Sequence, residues 1–321
     1  MRLVKLKNRP SKGVFVFEYM QEQIERLRGQ GKERTVETYQ SALNSFMKFR
    51  DGIDLCFDEM DADLMEHYET EMRSTHHLSR NTTSFYMRIL RCVYRKAVGE
   101  GLALPADPFE NVYTGVDKTS KRAATLTDIK HIKQLDLSDH KSLEFARDIF
   151  LFSFYMRGMS FIDLAYLRKS DLHDNVITYR RRKTGRPLSV TLTPEAMAIL
   201  KRYMNRDTSS PYLFPLLNSR EGTKEAYHEY QLALRNFNRQ LMLLGEMLGL
   251  GDKLSSYTAR HTWATTAYYC EIHPGVISEA MGHSSITVTE TYLKPFRNKK
   301  IDEANKKVVD FIKRSMSVAI C

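Results

Sequence analysis

The sequence predicts a mainly α protein with one small β-sheet or hairpin, split into an all-helical N-terminal part and an α+β C-terminal part. Three observations carry this. Apolar residues recur at three- and four-residue spacing through residues 1–115, the period of helices with one buried face. The stretch from Val176 to Leu192 reads instead as two short strands folding back over Thr184-Gly185, the pattern of a hairpin. Pro105 and Pro108 then break the helical pattern, and a polar, basic stretch from Asn111 to Arg122 follows, with the composition of a linker. The expected boundaries are 1–115, a linker over 116–124, and 125–321.

In the first part, a helix is expected from Thr35, with that hydroxyl as its cap and Val36, Tyr39, Leu43, Phe46, Met47 and Phe49 on one face. A second follows Met60-Asp-Ala-Asp and buries Leu64, Met65, Tyr68 and Met72. A third starts at Ser79 and carries Phe85, Ile89, Leu90, Val93 and Tyr94 on one side. Arg80, Arg88, Arg91, Arg95 and Lys96 share that segment, so one face is core and another is basic. On pattern alone this fits a solvated helix face as well as a polyanion-binding one.

In the second part, a short helix is expected at Thr127-Asp128-Ile129. A core helix runs from Ser142 to Met156, with Leu143, Ala146, Ile149, Phe150 and Phe154 inward and Gly158 as its breaker. Ser160 and Asp163 have the spacing of a capping box opening a further helix. Thr193-Pro194 starts another helix with a cap and a proline at the first position. Residues 226–248 form a long helix whose methionines fill core space. The end of the chain is basic (Lys294, Arg297, Lys299, Lys300), then amphipathic (Ile301, Ala304, Val308, Val309, Phe311, Ile312).

Composition narrows the class of partner. Lys and Arg number 49 against 39 Asp and Glu in 321 residues, a net charge of +10. That balance favours nucleic acid or another polyanion, although a solvated basic surface has the same composition. No apolar run reaches membrane-span length and none resembles a signal peptide, so a cytoplasmic location without membrane contact is expected. Cys56, Cys92, Cys270 and Cys321 are scattered, which suits reduced thiols and argues against a zinc site. No phosphate-binding glycine loop is present, and no cofactor is expected.

The chemistry-bearing residues lie late in the chain, in Ala-Arg260-His261-Thr-Trp-Ala-Thr and Gly282-His283-Ser-Ser-Ile-Thr-Val-Thr-Glu-Thr-Tyr292. A guanidinium holds a phosphate by parallel N–H bonds, an imidazole donates to the same group, and a phenol can attack it. This ordered set, with the tyrosine nine residues after the histidine, resembles the tyrosine recombinase (phage integrase) family. Thr35-x-x-Thr-Tyr-x-x-x-Leu43 and the later Pro108-Phe109 resemble that family's helical core-binding domain.

The resemblance implies a site-specific recombinase that cuts and rejoins DNA through a 3′-phosphotyrosine at Tyr292. It makes Arg260 the phosphate clamp and His283 the second donor, and leaves His261 a structural role. Lys183, in Arg180-Arg-Arg-Lys183-Thr-Gly-Arg186, takes the place of the family's hairpin lysine, the proposed general acid. It further implies double-stranded DNA as partner, contacted by Arg80, Arg88, Arg91, Arg95, Arg181 and Arg186, and a homotetramer on synapsed DNA formed from a protein monomeric in solution. The C-terminal helix docks either on its own domain or on a neighbouring protomer.

Two positions depart from the family pattern. Tyr257 stands where a histidine or lysine is usual, three residues before Arg260, and brings no charge at neutral pH. Ser160 stands where the first family arginine is usual; Arg157, three residues earlier, is the expected replacement, with Arg181 as competitor. Asp163 holds the place of the family's orienting acid. Arg157-Gly-Met-Ser160 looks like a mobile-element branch, in which integration and inversion are both open. A type IB topoisomerase-like relaxing enzyme and a DNA-binding regulator with a degenerate site are the rival readings.

Overall fold

The computed structural model describes residues 13–117, 123–293 and 301–310. The chain divides into two compact units, Met1–Thr119 and Ser120–Cys321. Arg122 of the expected linker, the basic residues Lys294, Arg297, Lys299 and Lys300, Phe311 and Ile312, and Cys321 lie outside the described residues. The remaining thiols, Cys56, Cys92 and Cys270, are free. Among the described residues no helix is long and apolar enough to cross a membrane.

The first unit is built from α1 (Val16–Gly29), α2 (Glu33–Phe49), α3 (Ala62–Ser74) and α4 (Arg80–Gly99). Met20, Ile24, Leu43, Phe46, Met65, Tyr68, Met87 and Leu90 close its core. Asp61 and Ser79 cap α3 and α4 through their side chains, each accepting from the amide three residues on. α2 departs from expectation. It starts two residues before Thr35, at Glu33, and its cap position is Lys32 without a side-chain bond. Thr35 already lies in the first turn, its amide donating to the Lys32 carbonyl at 2.9 Å. α1, not anticipated from the sequence, packs along α2 and buries Val16, Phe17, Met20 and Ile24.

The second unit contains α5 (Leu126–Gln134), α6 (Lys141–Tyr155), α7 (Phe161–Ala165), α8 (Pro194–Tyr203), α9 (Lys224–Met247), α10 (Thr258–Tyr269), α11 (Pro274–Ala280) and α12 (Ile286–Glu290). Residues 301–310 are also helical. α6 is central and packs against α8, α9 and α10. It is apolar nearly all round, with Ile149, Phe150, Leu151 and Phe152 all buried, as a helix covered on several sides requires.

One antiparallel sheet, in the order β1 (Leu172–His173), β2 (Val176–Arg180), β3 (Pro187–Thr191), leans on this core through Ile177, Tyr179 and Val190. β1, absent from the sequence reading, pairs Leu172 with Ile177 and His173 with Val176. The two residues between them, Asp174 and Asn175, both have positive φ (46° and 64°). That matches a type I′ connection, whose twist suits paired strands. β2 and β3 pair from Val176 opposite Thr191 to Arg180 opposite Pro187, which leaves residues 181–186 as the hairpin loop.

Candidate active site

Arg260 lies in the first turn of α10, and its side chain is almost completely buried, 2% exposed. Burial of so large a cation demands acceptors. Nη1 donates to the Gly158 carbonyl at 2.7 Å, and Nη2 to the Met281 carbonyl at 2.7 Å. Nη2 also lies 2.9 Å from His283 Nε2. The guanidinium is held below its ordinary pKa, first by burial and then by the charge of Arg181, with Tyr292 acting in the opposite direction. It stays cationic at any working pH.

His283 sits between α11 and α12 and is 1% exposed. Its Nδ1 lies 2.8 Å from the hydroxyl of Thr289, itself fully buried on α12. Burial, then the charges of Arg260, Arg181 and Lys183, push the imidazole down to about 3, so the ring is neutral. It stacks on the phenol of Tyr292 with centroids 4.9 Å apart. The Arg260 guanidinium carbon is 5.7 Å from the same phenol ring. Arg260 on α10 is therefore brought together with His283 and Tyr292.

His261, given a structural role from the sequence, lies beside the candidate nucleophile. Its ring lies 4.7 Å from that of Tyr292, so the phenol is bracketed by two imidazoles. Adjacent positions on a helix point about 100° apart. Tyr292 is wide enough to touch both residue 261 and the group that residue 260 holds.

The 181–186 loop grips the Gly282–His283 backbone. Arg181 Nη1 donates to the Gly282 carbonyl at 2.8 Å, the Thr184 hydroxyl to the same oxygen at 3.2 Å, and Arg186 Nη1 to the His283 carbonyl. So dense a run of cations needs counter-charges, and two of its arginines have them. Arg182 pairs with Glu221 at 2.5 Å and lies over the Tyr166 ring. Burial pushes Glu221 up, but Arg182 and Arg168 outweigh it and hold the carboxyl below its ordinary pKa. Arg181, 3% exposed, places Nε 3.9 Å from the Asp163 carboxylate. Lys183 stays exposed at the loop tip, near enough to His283 to bias its protonation.

Asp163 joins the loop to α7. Its Oδ1 accepts from the Arg182 amide at 2.8 Å, and its Oδ2 from the Ser160 hydroxyl at 2.6 Å. The expected capping box is thus absent, because the Ser160 hydroxyl binds the carboxylate and no backbone amide. Arg157 is half-buried with φ of 57°, and makes no hydrogen bond or ion pair among the described residues. It stands close enough to Tyr179 to lower that phenol's pKa slightly, against a larger rise from burial. Tyr257, the N-cap residue of α10, is held above its ordinary pKa by burial first and Tyr292 second, so it is a neutral donor. The structure therefore puts Arg181, more than Arg157, against the Arg260 pocket.

In the first unit, Arg88, Arg91 and Arg95 fall at helical spacing along α4; Arg88 and Arg95 are exposed and Arg91 is half-exposed. Arg88 Nε donates to the Ser84 carbonyl at 3.3 Å, leaving its remaining N–H groups outward. Arg80 differs from them. Its guanidinium lies 3.7 Å over the Tyr113 ring and 3.4 Å from Asp117, so its charge is already matched within the unit. Asn81 bonds the Asp117 backbone in both directions, and this clasp ties the segment leaving the unit to the start of α4.

Comparison with known proteins agrees with this geometry. Residues 15–114 match the phage integrase SAM-like domain, and residues 125–299 match the phage integrase family. The tyrosine recombinase XerA of Pyrococcus furiosus is 26% identical over 199 residues, 61% of this chain and 64% of that protein. The tyrosine recombinase XerC of Leptospira interrogans is 20% identical over 278 residues, 86% of this chain and 87% of that one. The fold resembles that of the Tn1549 transposon integrase in complex with transposon right end DNA, with a TM-score of 0.66 over 92% of this chain and 100% of that one, at 17% identity. A lambda integrase fragment bound to a core site gives 0.65 over 87% and 95%, at 16% identity. With its catalytic-domain match spanning more than half its length, the chain belongs to the phage integrase family of tyrosine recombinases.

Proposed function

We propose that this chain is a site-specific DNA recombinase that cuts one strand of a duplex through Tyr292 and rejoins it to another. The observation that carries the reading is the placement of the Tyr292 phenol against His283 at 4.9 Å and within 5.7 Å of the Arg260 guanidinium. A candidate nucleophile, clamp and donor converge there. The names of the relatives, and the DNA present in the Tn1549 and lambda structures, support the same activity and the same substrate.

The chemistry follows from the charges. The scissile phosphodiester enters with one negative charge, and its pentavalent transition state concentrates it. Arg260 and Arg181 supply two guanidinium groups to the non-bridging oxygens, and His283 and the Tyr257 hydroxyl supply neutral donors. Tyr292 Oη gives up its proton to water and forms a bond to phosphorus as the bond to the 5′-oxygen breaks, and Lys183, at the end of its long side chain, gives that oxygen a proton. The tyrosyl ester keeps the bond energy, so attack by a 5′-hydroxyl from a second strand reseals DNA without a nucleotide. Asp163 orients Arg181, and Ser160, standing where the family has its first arginine, anchors Asp163.

Arg88, Arg91 and Arg95, exposed or half-exposed along α4, track the DNA backbone. Arg80 and Arg186 contribute mainly by bracing protein. Four copies act together on two duplexes in the cytoplasm, and the helix over 301–310, with Ile301, Val308 and Val309 exposed, is the element that engages a neighbouring copy.

The test is trapping on nicked duplexes that carry whatever inverted repeats sequencing finds beside the gene, against unrelated nicked DNA. A denaturation-resistant adduct on the repeat-bearing duplexes, and none on unrelated nicked DNA, is expected. Equal adducts on both would replace the recombinase reading with a relaxing enzyme, and none on either would favour a regulator.

A further inference from the structure

The partners of His283 raise a proton-counting problem. A guanidinium has donors and no acceptor. With Arg260 Nη2 at 2.9 Å, His283 Nε2 must therefore present its lone pair. A neutral ring then carries its hydrogen on Nδ1, which donates to the Thr289 hydroxyl at 2.8 Å. A phosphate oxygen only accepts, so engagement of DNA needs the hydrogen on Nε2 instead. The ring can reach that state by gaining a second proton or by changing tautomer.

Surroundings disfavour the second proton. Arg260, Arg181 and Lys183 face the ring with positive charge, the Tyr292 phenol covers one face, and Thr289 closes the Nδ1 side. No carboxylate bonds the ring among the described residues. A change of tautomer adds no charge, but leaves Nδ1 as an acceptor in a buried place where an unpaired nitrogen is costly. The Thr289 hydroxyl solves this by rotation: the oxygen that accepts from Nδ1–H in one tautomer donates to Nδ1 in the other.

We propose that Thr289 is a positioning residue whose hydroxyl supports both tautomers of His283, accepting in the DNA-free protein and donating when Nε2–H binds the scissile phosphate. The proton balance is neutral: Nδ1 releases one proton to water, Nε2 takes one from water, and the hydroxyl turns. Arg260 moves its Nη2 from the imidazole to the phosphate in the same exchange. This rests on the recombinase reading for what fills the site, but the tautomer itself can be examined without DNA.

The experiment compares Thr289→Ser and Thr289→Val, with ¹⁵N-histidine NMR on the intact protein and single-turnover cleavage of the nicked duplex across pH 5.5–8.5. Free wild type should show His283 neutral with hydrogen on Nδ1, and saturation with inorganic phosphate should move that hydrogen to Nε2 while the ring stays neutral. Thr289→Ser should cleave within about threefold of wild type with the same pH profile. Thr289→Val keeps the shape but has no hydrogen bond to give. Its cleavage should drop about 10²-fold, the size expected when a transition-state donor is lost, with DNA affinity unchanged. A wild-type rate in Thr289→Val, or an imidazolium in phosphate-saturated wild type, would overturn the proposal. Should wild type form no adduct on the nicked duplex while the phosphate-driven tautomer change occurs, the recombinase reading fails and the Thr289 assignment stands.

Discussion

Gly158 and Arg260 are in contact so close that a Cβ on residue 158 would stand 2.8 Å from the Arg260 α-carbon. The glycine has φ of +67°, and its carbonyl accepts from Arg260 Nη1 at 2.7 Å. Position 158 thus holds the clamp arginine by approach and by hydrogen bond together. Gly282 does the same for the hairpin: its φ is +64°, a Cβ there would lie 3.2 Å from Arg181 Cδ, and its carbonyl accepts from Arg181.

Gly158→Ala should therefore damage the site more than its size suggests. A left-handed non-glycine residue costs on the order of 1–3 kcal/mol, and the contact adds to it. Displacement of Arg260 by about 1 Å should cost about 10²-fold in cleavage. Urea unfolding and single-turnover cleavage check both. An alanine variant with wild-type stability and rate would mean that the approach does not constrain Arg260.

Arg181→Ala should lower single-turnover cleavage by about 10²–10³-fold, the cost of one transition-state donor. Arg157→Ala should lose much less. The motivation is burial and pairing: Arg181 lies against Asp163 and the Arg260 pocket, whereas Arg157 makes no hydrogen bond or ion pair among the described residues. The reverse ranking, measured on variants with wild-type circular dichroism, would return the second guanidinium to Arg157.

The fold was largely legible where one local signal fixes one local structure. Thr193-Pro194 does start α8, with the threonine accepting from the Ala196 amide, and the alternation after Val176 does fold back as β2 and β3. The helix that presents Arg260 from its first turn buries Ala259, Thr262, Ala264 and Thr265 beside it. What was not legible depends on tertiary partners. Ser160 and Asp163 have capping-box spacing, yet the hydroxyl found a carboxylate that was already orienting Arg181. Arg80 looked like its neighbours on α4 until Tyr113 and Asp117 folded over it. The His261 contact arises because Tyr292 returns to α10 from the turn after α12, which no spacing along α10 encodes. β1 is only two residues long, too short for a period, and its one cue was the Asp174-Asn175 pair.

Acid should weaken the fold through His283. Its pKa in the folded protein, pushed down to about 3 by burial and the neighbouring cations, lies below the unfolded value of 6.5. The unfolded chain therefore binds more protons between these values. The stability associated with the neutral ring is complete above about pH 6.5 and is lost as pH falls through that window. Urea midpoints measured from pH 7 to pH 4 should fall in wild type, with a slope reduced by up to one proton in His283→Asn. An unchanged slope in the variant would show that the ring titrates normally.

DNA affinity should fall steeply with salt, since log affinity drops by about 0.9 per phosphate contact for each unit of log salt. Arg88→Ala, Arg91→Ala and Arg95→Ala should each lower that slope by about 1, whereas Arg80→Ala, whose charge is matched by Asp117, should change it little. Fluorescence anisotropy over a salt series measures this. Equal effects at Arg80 and Arg88 would mean that the Asp117 contact opens on DNA.

The central claim is that the Tyr292 hydroxyl forms the covalent bond to DNA. Tyr292→Phe removes one oxygen and keeps the ring between His261 and His283. On the nicked duplex, denaturing electrophoresis should show a protein–DNA adduct for wild type and none for Tyr292→Phe, while both bind the same duplex within a few-fold. An adduct of normal yield in the phenylalanine variant would contradict the account and move the nucleophile elsewhere in the chain.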